Sequence, residues 1–110
     1  LDREVLAYSA RIGLELGADM LKMKYNGKPE DMKYQIKCAG KAKMLMAGGP
    51  KANTDEEFLR MVRAATDAGG RGVAIGRNVF QHDNPTAMTR ALTLVVHKGA
   101  SVEDAMEALR

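Results

Sequence analysis

Two lysines, Lys22 and Lys24, interrupt an otherwise apolar run of sequence between Met20 and Tyr25. If this run is a β-strand, the two lysines share parity and point to the same face of the sheet. A strand enclosed by helices is normally an unbroken apolar run, and lysine is seldom buried unless it is paired or functional. A desolvated amine loses its proton more easily and becomes a nucleophile. The pair therefore indicates an enzyme that forms a Schiff base.

The two lysines are expected to have different roles. Lys22 lies one pleat deeper in the predicted strand, and this spacing favours Lys22 as the nucleophile. Lys24 lies near the C-terminal end of the strand, where a long side chain can also simply reach solvent. If Lys24 has a function, we expect it to be a nearby cation that favours the neutral amine of Lys22 or contacts a phosphate.

Glycine-containing loops follow the next two predicted strands. Residues 47–51 read Ala-Gly-Gly-Pro-Lys, and Gly76 and Arg77 follow the later strand. Glycine lets the backbone approach a ligand closely and turn its N–H groups toward it, and a guanidinium suits phosphate oxygens. A tight turn would explain either loop alone. Together they favour a phosphate-binding site.

Helical and strand periodicities alternate along the whole chain. Strands that alternate with helices predict a parallel sheet, and three parallel strands make a poor closed core by themselves. We therefore predict an α/β fold in which residues 1–110 are the C-terminal part, about strands six to eight, of a single (β/α)8 TIM-barrel domain. A small free-standing three-layer α/β domain is the alternative. The predicted strands are 18–25, 43–47 and 72–75, and the predicted helices are 3–16, 29–39, 55–68, 85–97 and 101–109.

Composition argues against several classes of function. The chain has 110 residues, a formal net charge of +3, scattered basic residues and no Trp, so nucleic-acid binding is not expected. A single cysteine, Cys38, excludes a disulfide or a cysteine zinc site within the chain and is expected to be a small buried helix residue. No apolar stretch reaches the roughly 18 residues that span a membrane, and no signal peptide is visible. We expect a cytoplasmic protein with no membrane partner.

Neither histidine is assigned a catalytic role. His82 lies in a loop after the third predicted strand, where a single histidine is usually solvent-exposed, and His97 lies at a helix end, where its charge favours the helix dipole. Acidic residues cluster at helix starts, as at residues 55–57, and are interpreted as caps rather than as metal ligands. No metal site is predicted.

Three motifs occur in a defined order: Lys-Met-Lys-Tyr-Asn-Gly at 22–27, Met-Ala-Gly-Gly-Pro-Lys at 46–51 and Gly-Arg-Asn-Val-Phe-Gln at 76–81. In this order and spacing they resemble the archaeal-type class I fructose-bisphosphate aldolases. A sister group, 2-amino-3,7-dideoxy-D-threo-hept-6-ulosonate synthase, is similar through residues 53–59 and 80–83 and is the alternative function. A third possibility is a non-catalytic phosphate-binding fragment.

The resemblance implies reversible aldol cleavage of fructose 1,6-bisphosphate, a phosphorylated sugar, without a metal or other cofactor. It implies a Schiff base on Lys22, a homo-oligomer that is a decamer, and acid–base residues on earlier strands. Tyr25 is not expected to take the acid–base role, since its parity turns it away from Lys22. The residues that the resemblance implies for the substrate phosphate are Ala47, Gly48, Gly49, Gly76 and Arg77.

Overall fold

The computed structural model describes residues 1–48 and 51–110. Helices and strands alternate along this part of the chain, as the sequence predicts. In chain order they are α1 (Arg3–Glu15), β1 (Met20–Met23), α2 (Pro29–Cys38), β2 (Lys43–Ala47), α3 (Asp55–Asp67), β3 (Gly72–Ala74), α4 (Arg77–Phe80), α5 (Pro85–Lys98) and α6 (Val102–Glu107).

The strands of the described residues form one parallel sheet in the order β1-β2-β3. Side chains alternate between its two faces: Leu21, Met44 and Met46 are buried against the helices, whereas Met20 and Lys22 are exposed on the opposite face. The sequence pattern suggests strands that are covered on both faces. Within residues 1–48 and 51–110, however, the helices cover one face and leave the other open.

The hydrophobic core lies between the covered face of the sheet and the helices, and α3 contributes most visibly to it. Phe58, Leu59 and Val62 on this helix are almost completely buried, at the spacing that places side chains on one helical face. The helix begins where Thr54 Oγ1 accepts a hydrogen bond from the Glu57 N–H at 3.0 Å. This cap satisfies one of the amides that a helix start leaves unpaired.

Some local features differ from the sequence-based predictions. β1 covers Met20–Met23 rather than 18–25, so Lys24 lies just beyond the end of the strand. The short helix α4 was not predicted, because a single helical turn is too short to show a periodic apolar pattern. Cys38 is half-buried at the end of α2 rather than fully buried.

None of the helices within residues 1–48 and 51–110 is long and apolar enough to cross a lipid bilayer.

The two phenylalanines of the chain allow a matched test of the core. Phe58 is 1% exposed and Phe80 is 66% exposed. We expect Phe58→Ala to lower the free energy of unfolding by about 3–5 kcal/mol, because it removes a buried ring and leaves a cavity. Phe80→Ala should change it by no more than about 0.5 kcal/mol. Urea unfolding followed by circular dichroism measures both, and equal losses would contradict this assignment of the core.

Candidate active site

A cavity of about 430 Å³ opens on the uncovered face of the sheet, at the C-terminal ends of the strands. Parallel strands end at the same edge of a sheet, so the residues that follow β1, β2 and β3 converge there. The cavity collects every site residue predicted from the sequence except Gly49, which lies outside the described residues. Its lining residues are Lys22, Lys24, Ala47, Gly48, Ala74, Gly76, Arg77 and Phe80.

The strand register explains the position of Lys22. Lys22 is the ladder partner of Leu45 on β2, and Leu45 is in turn the partner of Gly72 on β3. Residues in one row across a sheet point to the same face, so Lys22 lies on the open face with the cavity. Both Lys22 and Lys24 are exposed. The cover that would desolvate a buried lysine is therefore not supplied by the described residues.

The two glycine loops lie directly against each other. The Gly48 N–H donates to the carbonyl oxygen of Ala74 at 3.2 Å, which extends the ladder between β2 and β3 by one bond. A Cβ atom added to Gly48 would lie 3.3 Å from Ile75 Cδ1 and 3.7 Å from the Gly76 nitrogen. A side chain at position 48 would thus enter a crowded space, which is a reason for glycine there.

Arg77 and Phe80 form the far wall of the cavity. Both lie on α4, and both are exposed. A Cβ atom added to Gly76 would lie 3.0 Å from Phe80 Cε2, so the aromatic ring packs over the Gly76 backbone. Phe80 was not predicted as a site residue, because its position depends on the unpredicted turn of helix.

The described lining residues of the cavity carry positive charge only. Lys22, Lys24 and Arg77 contribute cationic groups, and no Asp or Glu is among the lining residues that the structure describes. Positive charges that converge on a concave surface attract anions. An arginine beside glycine amides is also suited to phosphate oxygens. The site can therefore attract a phosphate-bearing ligand and holds amines that can attack a carbonyl.

Behind the cavity, polar contacts join the loop after β2 to the segment after β3. The Ala52 N–H donates to Asn78 Oδ1 at 2.8 Å, and Lys51 Nζ donates to the Gln81 carbonyl oxygen at 3.1 Å. Asn78 is 4% exposed, so water competes little for its contact with Ala52. These contacts connect residues far apart in sequence and have no signature in the sequence pattern.

Tyr25 lies on the other side of the sheet from the lysines. It is half-buried and packs against the hydrophobic core, in agreement with the parity argument that turns it away from Lys22. Burial raises the pKa of its phenol above the ordinary tyrosine value. Tyr25 is therefore a packing residue in the described part of the chain.

Metal ligands do not gather anywhere in residues 1–48 and 51–110: no group of three or more His, Cys, Asp or Glu side chains there could hold a metal ion.

Comparison with known protein families identifies the chain. Residues 2–82 match the model of the DeoC/LacD family of aldolases. The chain belongs to the DeoC/LacD aldolase family. Among curated relatives, this aldolase-family chain is 46% identical over 101 residues to the class 1 fructose-bisphosphate aldolase of Thermoproteus tenax. That match covers 92% of the chain and 38% of the relative.

Solved structures of archaeal aldolases also resemble the DeoC/LacD family chain. The crystal structure of an archaeal fructose 1,6-bisphosphate aldolase is 47% identical, has a TM-score of 0.86 and matches 89% of this chain and 39% of that one. Another archaeal fructose-1,6-bisphosphate aldolase, with its catalytic Lys covalently bound to the carbinolamine intermediate of the substrate, is 46% identical with a TM-score of 0.83. It matches 86% of this chain and 38% of that one.

These similarities confirm two predictions made from the sequence. The chain has the α/β fold of a portion of a (β/α)8 barrel, and its resemblance to the archaeal class I aldolases is confirmed. The chain spans 38% of the length of the Thermoproteus tenax relative. The same comparisons leave the roles of the individual site residues as predictions.

Alkaline pH is expected to destabilise the DeoC/LacD family chain through Tyr25. Because burial raises the pKa of Tyr25 in the folded state, the unfolded chain loses this phenolic proton first. This contribution to stability is complete below the unfolded pKa of about 10 and is lost as the pH rises through the folded value. Urea unfolding at about pH 8 and about pH 11 measures the loss, which should be smaller in Tyr25→Phe.

Tyr8→Phe is the matched control for this experiment, because Tyr8 is an exposed side chain on α1. Its loss of stability between the two pH values should equal that of the unsubstituted chain. An unchanged loss in Tyr25→Phe would contradict the burial of the Tyr25 phenol.

Proposed function

We propose that the protein containing this chain is a class I, metal-independent fructose-bisphosphate aldolase that uses Lys22 to form a Schiff base with its substrate. The observation that carries the proposal is the cavity in which Lys22, Lys24 and Arg77 converge with Gly48 and Gly76. The relatives support it, since one is named a class 1 fructose-bisphosphate aldolase and a solved archaeal aldolase holds its substrate intermediate on a catalytic Lys.

The proposed reaction begins at the Lys22 amine. The neutral Nζ attacks the ketone carbon of fructose 1,6-bisphosphate, a C–N bond forms, and the carbonyl oxygen becomes the hydroxyl of a carbinolamine. Protonation of this hydroxyl and loss of water leave an iminium ion, which withdraws the electron pair of the neighbouring C–C bond. As a base takes the proton of the hydroxyl group next to that bond, the bond breaks to an enamine and glyceraldehyde 3-phosphate. Protonation of the enamine and hydrolysis of the resulting iminium then release dihydroxyacetone phosphate and restore the amine.

One of the two phosphates of the substrate is assigned to the two glycine loops. We assign its oxygens to the backbone at Ala47, Gly48 and Gly49, to the Gly76 backbone and to the Arg77 guanidinium, with Lys24 as a further cation. This assignment is supported by the absence of carboxylates from the described lining of the cavity. A phosphate held there places the reacting carbon over Lys22 and converts an intermolecular encounter into a positioned reaction.

The domain assignment follows from the open face of the sheet. We propose that residues 1–110 are the C-terminal part of one barrel domain whose other strands cover Met20, Lys22 and Leu45. Parallel sheets occur almost only with both faces covered, and the chain spans 38% of its Thermoproteus tenax relative. We assign the group that transfers protons to and from the carbinolamine to those strands, as the resemblance to the archaeal-type aldolases implies; Tyr25 itself packs against the hydrophobic core. The decamer stays a prediction.

Trapping with borohydride tests the Schiff base. Reduction of the full-length protein with dihydroxyacetone phosphate should fix a single adduct on Lys22, located by mass spectrometry after proteolysis. Lys22→Met should abolish the adduct and lower the rate of fructose-bisphosphate cleavage by at least about a thousandfold, because the covalent intermediate cannot form. Lys24→Met is the matched control and should keep the adduct. An adduct on any other lysine would show that the assignment to Lys22 is wrong.

Substitution of Arg77 tests the phosphate site. Arg77→Gln should raise the KM for fructose 1,6-bisphosphate by about 10- to 100-fold, because a charge-assisted hydrogen bond is lost. Arg77→Lys should recover part of this loss, since the charge returns without the planar fork. Steady-state kinetics measures both. If the unsubstituted protein, Arg77→Gln and Arg77→Lys have the same KM, Arg77 does not bind the phosphate.

A further inference from the structure

His82 joins the starts of two helices beside the candidate active site. Its Nε2 lies 3.0 Å from Oδ2 of Asp55, the first residue of α3, and its Nδ1 accepts a hydrogen bond from the Asn84 N–H at 2.8 Å. Asn84 is the N-cap of α5. The His82 side chain is only 12% exposed. A histidine held at both ring nitrogens is not the solvent-exposed loop residue that its sequence context suggests.

These two contacts define where the His82 ring carries its hydrogen. The backbone N–H of Asn84 can only donate, so Nδ1 must be the unprotonated nitrogen that accepts. The hydrogen therefore lies on Nε2 and points to the Asp55 carboxylate. A hydrogen bond to a carboxylate is stronger than one between neutral groups, and the second contact at Nδ1 fixes the ring, so the contact with Asp55 is a directed link.

The link connects the two halves of the proposed phosphate site. Asp55 directly follows the loop that begins with Gly48, and His82 follows α4, which begins with Arg77. On the cavity side the two halves touch where Gly48 meets the Gly76 backbone. On the far side the link between His82 and Asp55 adds to the contacts that Lys51 and Ala52 make with the segment after β3. His82 is not among the described residues that line the cavity, so it can act on a ligand only through the residues that it holds.

We propose that His82 is a positioning residue of the phosphate site: its hydrogen bond to Asp55 holds the loop after β2 against α4, so that the Gly48 backbone and Arg77 bind one phosphate group together. This inference rests on the proposed function. Without the link the contacts of Lys51 and Ala52 would still join the two segments, but the segments would be less ordered, and binding one phosphate at both would require ordering them further. Phosphate binding weakens, whereas the reaction at Lys22 does not change.

Amide side chains can separate the two contacts of His82. In His82→Gln the longer side chain presents an N–H where Nε2 was and keeps the link to Asp55. In His82→Asn the shorter side chain presents an oxygen where Nδ1 was, keeps the contact with Asn84 and loses Asp55. The two variants therefore differ in the hydrogen bond to Asp55, although each replaces the ring by a neutral amide.

The experiment measures KM and kcat for fructose 1,6-bisphosphate and the Kd for inorganic phosphate in the full-length protein. His82→Asn should raise KM and the phosphate Kd about tenfold with kcat nearly unchanged, as expected when a binding contact is lost without loss of the chemical group. His82→Gln should stay within about twofold of the unsubstituted protein. His97→Asn and His97→Gln, at the exposed far end of α5, are matched controls and should change none of the three values.

Asp55→Ala tests the same link from its other end. It should raise the phosphate Kd as His82→Asn does. The double variant of Asp55→Ala and His82→Asn should have a phosphate Kd no higher than that of either single variant, because both substitutions remove the same interaction. Additive losses in the double variant would overturn the proposal. The thermal midpoint of each variant is measured beside the kinetics, so that a misfolded variant is recognised and the His82→Gln comparison still decides.

The outcomes separate this inference from the proposed function. A phosphate Kd unchanged in His82→Asn, or a loss of kcat with KM unchanged, would overturn the positioning role. If Arg77→Gln weakens phosphate binding and His82→Asn does not, the phosphate site stands and His82 has no part in it. If neither substitution alters phosphate binding, the phosphate site itself is wrong and the inference fails with it.

Discussion

The alternation of side chains along parallel strands in fixed register is the constraint on which the described structure depends. β2 pairs with β1 on one side and with β3 on the other. Once Met44 and Met46 are buried against the helices, every neighbouring residue of opposite parity must face the other way. Lys22 is thereby directed to the open face. The position of the candidate nucleophile thus follows from the burial of methionines on the opposite face of the sheet.

Parallel pairing also explains why separate parts of the chain meet in one cavity. The glycines after β2 and β3 are far apart in sequence, but both follow strand ends at the same edge of the sheet. Gly48 continues the ladder by donating to Ala74, so the loop starts from a hydrogen-bonded position rather than from a free end. The cations at this edge, Lys22 and Arg77, therefore converge without any direct bond between them.

Much of the fold could be predicted because it depends on local patterns. β2 has the predicted bounds, since its apolar run is framed by polar residues and glycine, and α3 begins at its predicted first residue, Asp55. The exposure of Lys22 could not be predicted, because it depends on which face of the sheet the helices cover. The single turn of α4 is too short to produce a pattern, and the positions of Phe80 and His82 depend on that turn.

The contacts of His82 illustrate a more general limit. Its partners, Asp55 and Asn84, are recognisable in the sequence as helix-start residues, and each has a sufficient local explanation as such. Only the tertiary structure brings the two helix starts to one ring. Residue types that favour caps can therefore conceal a second role, which a pattern of periodicity and capping does not reveal.

The separation of the two sheet faces has a consequence for how such a site can change over time. Leu21, Met44 and Met46 maintain the fold from one face, while Lys22 and Ala47 border the cavity on the other. Among the described residues, side chains that line the cavity are not part of this buried face. Substitutions there can therefore change substrate preference with little loss of stability. The strand pattern that holds the sheet together thus also leaves its chemistry free to diversify by mutation.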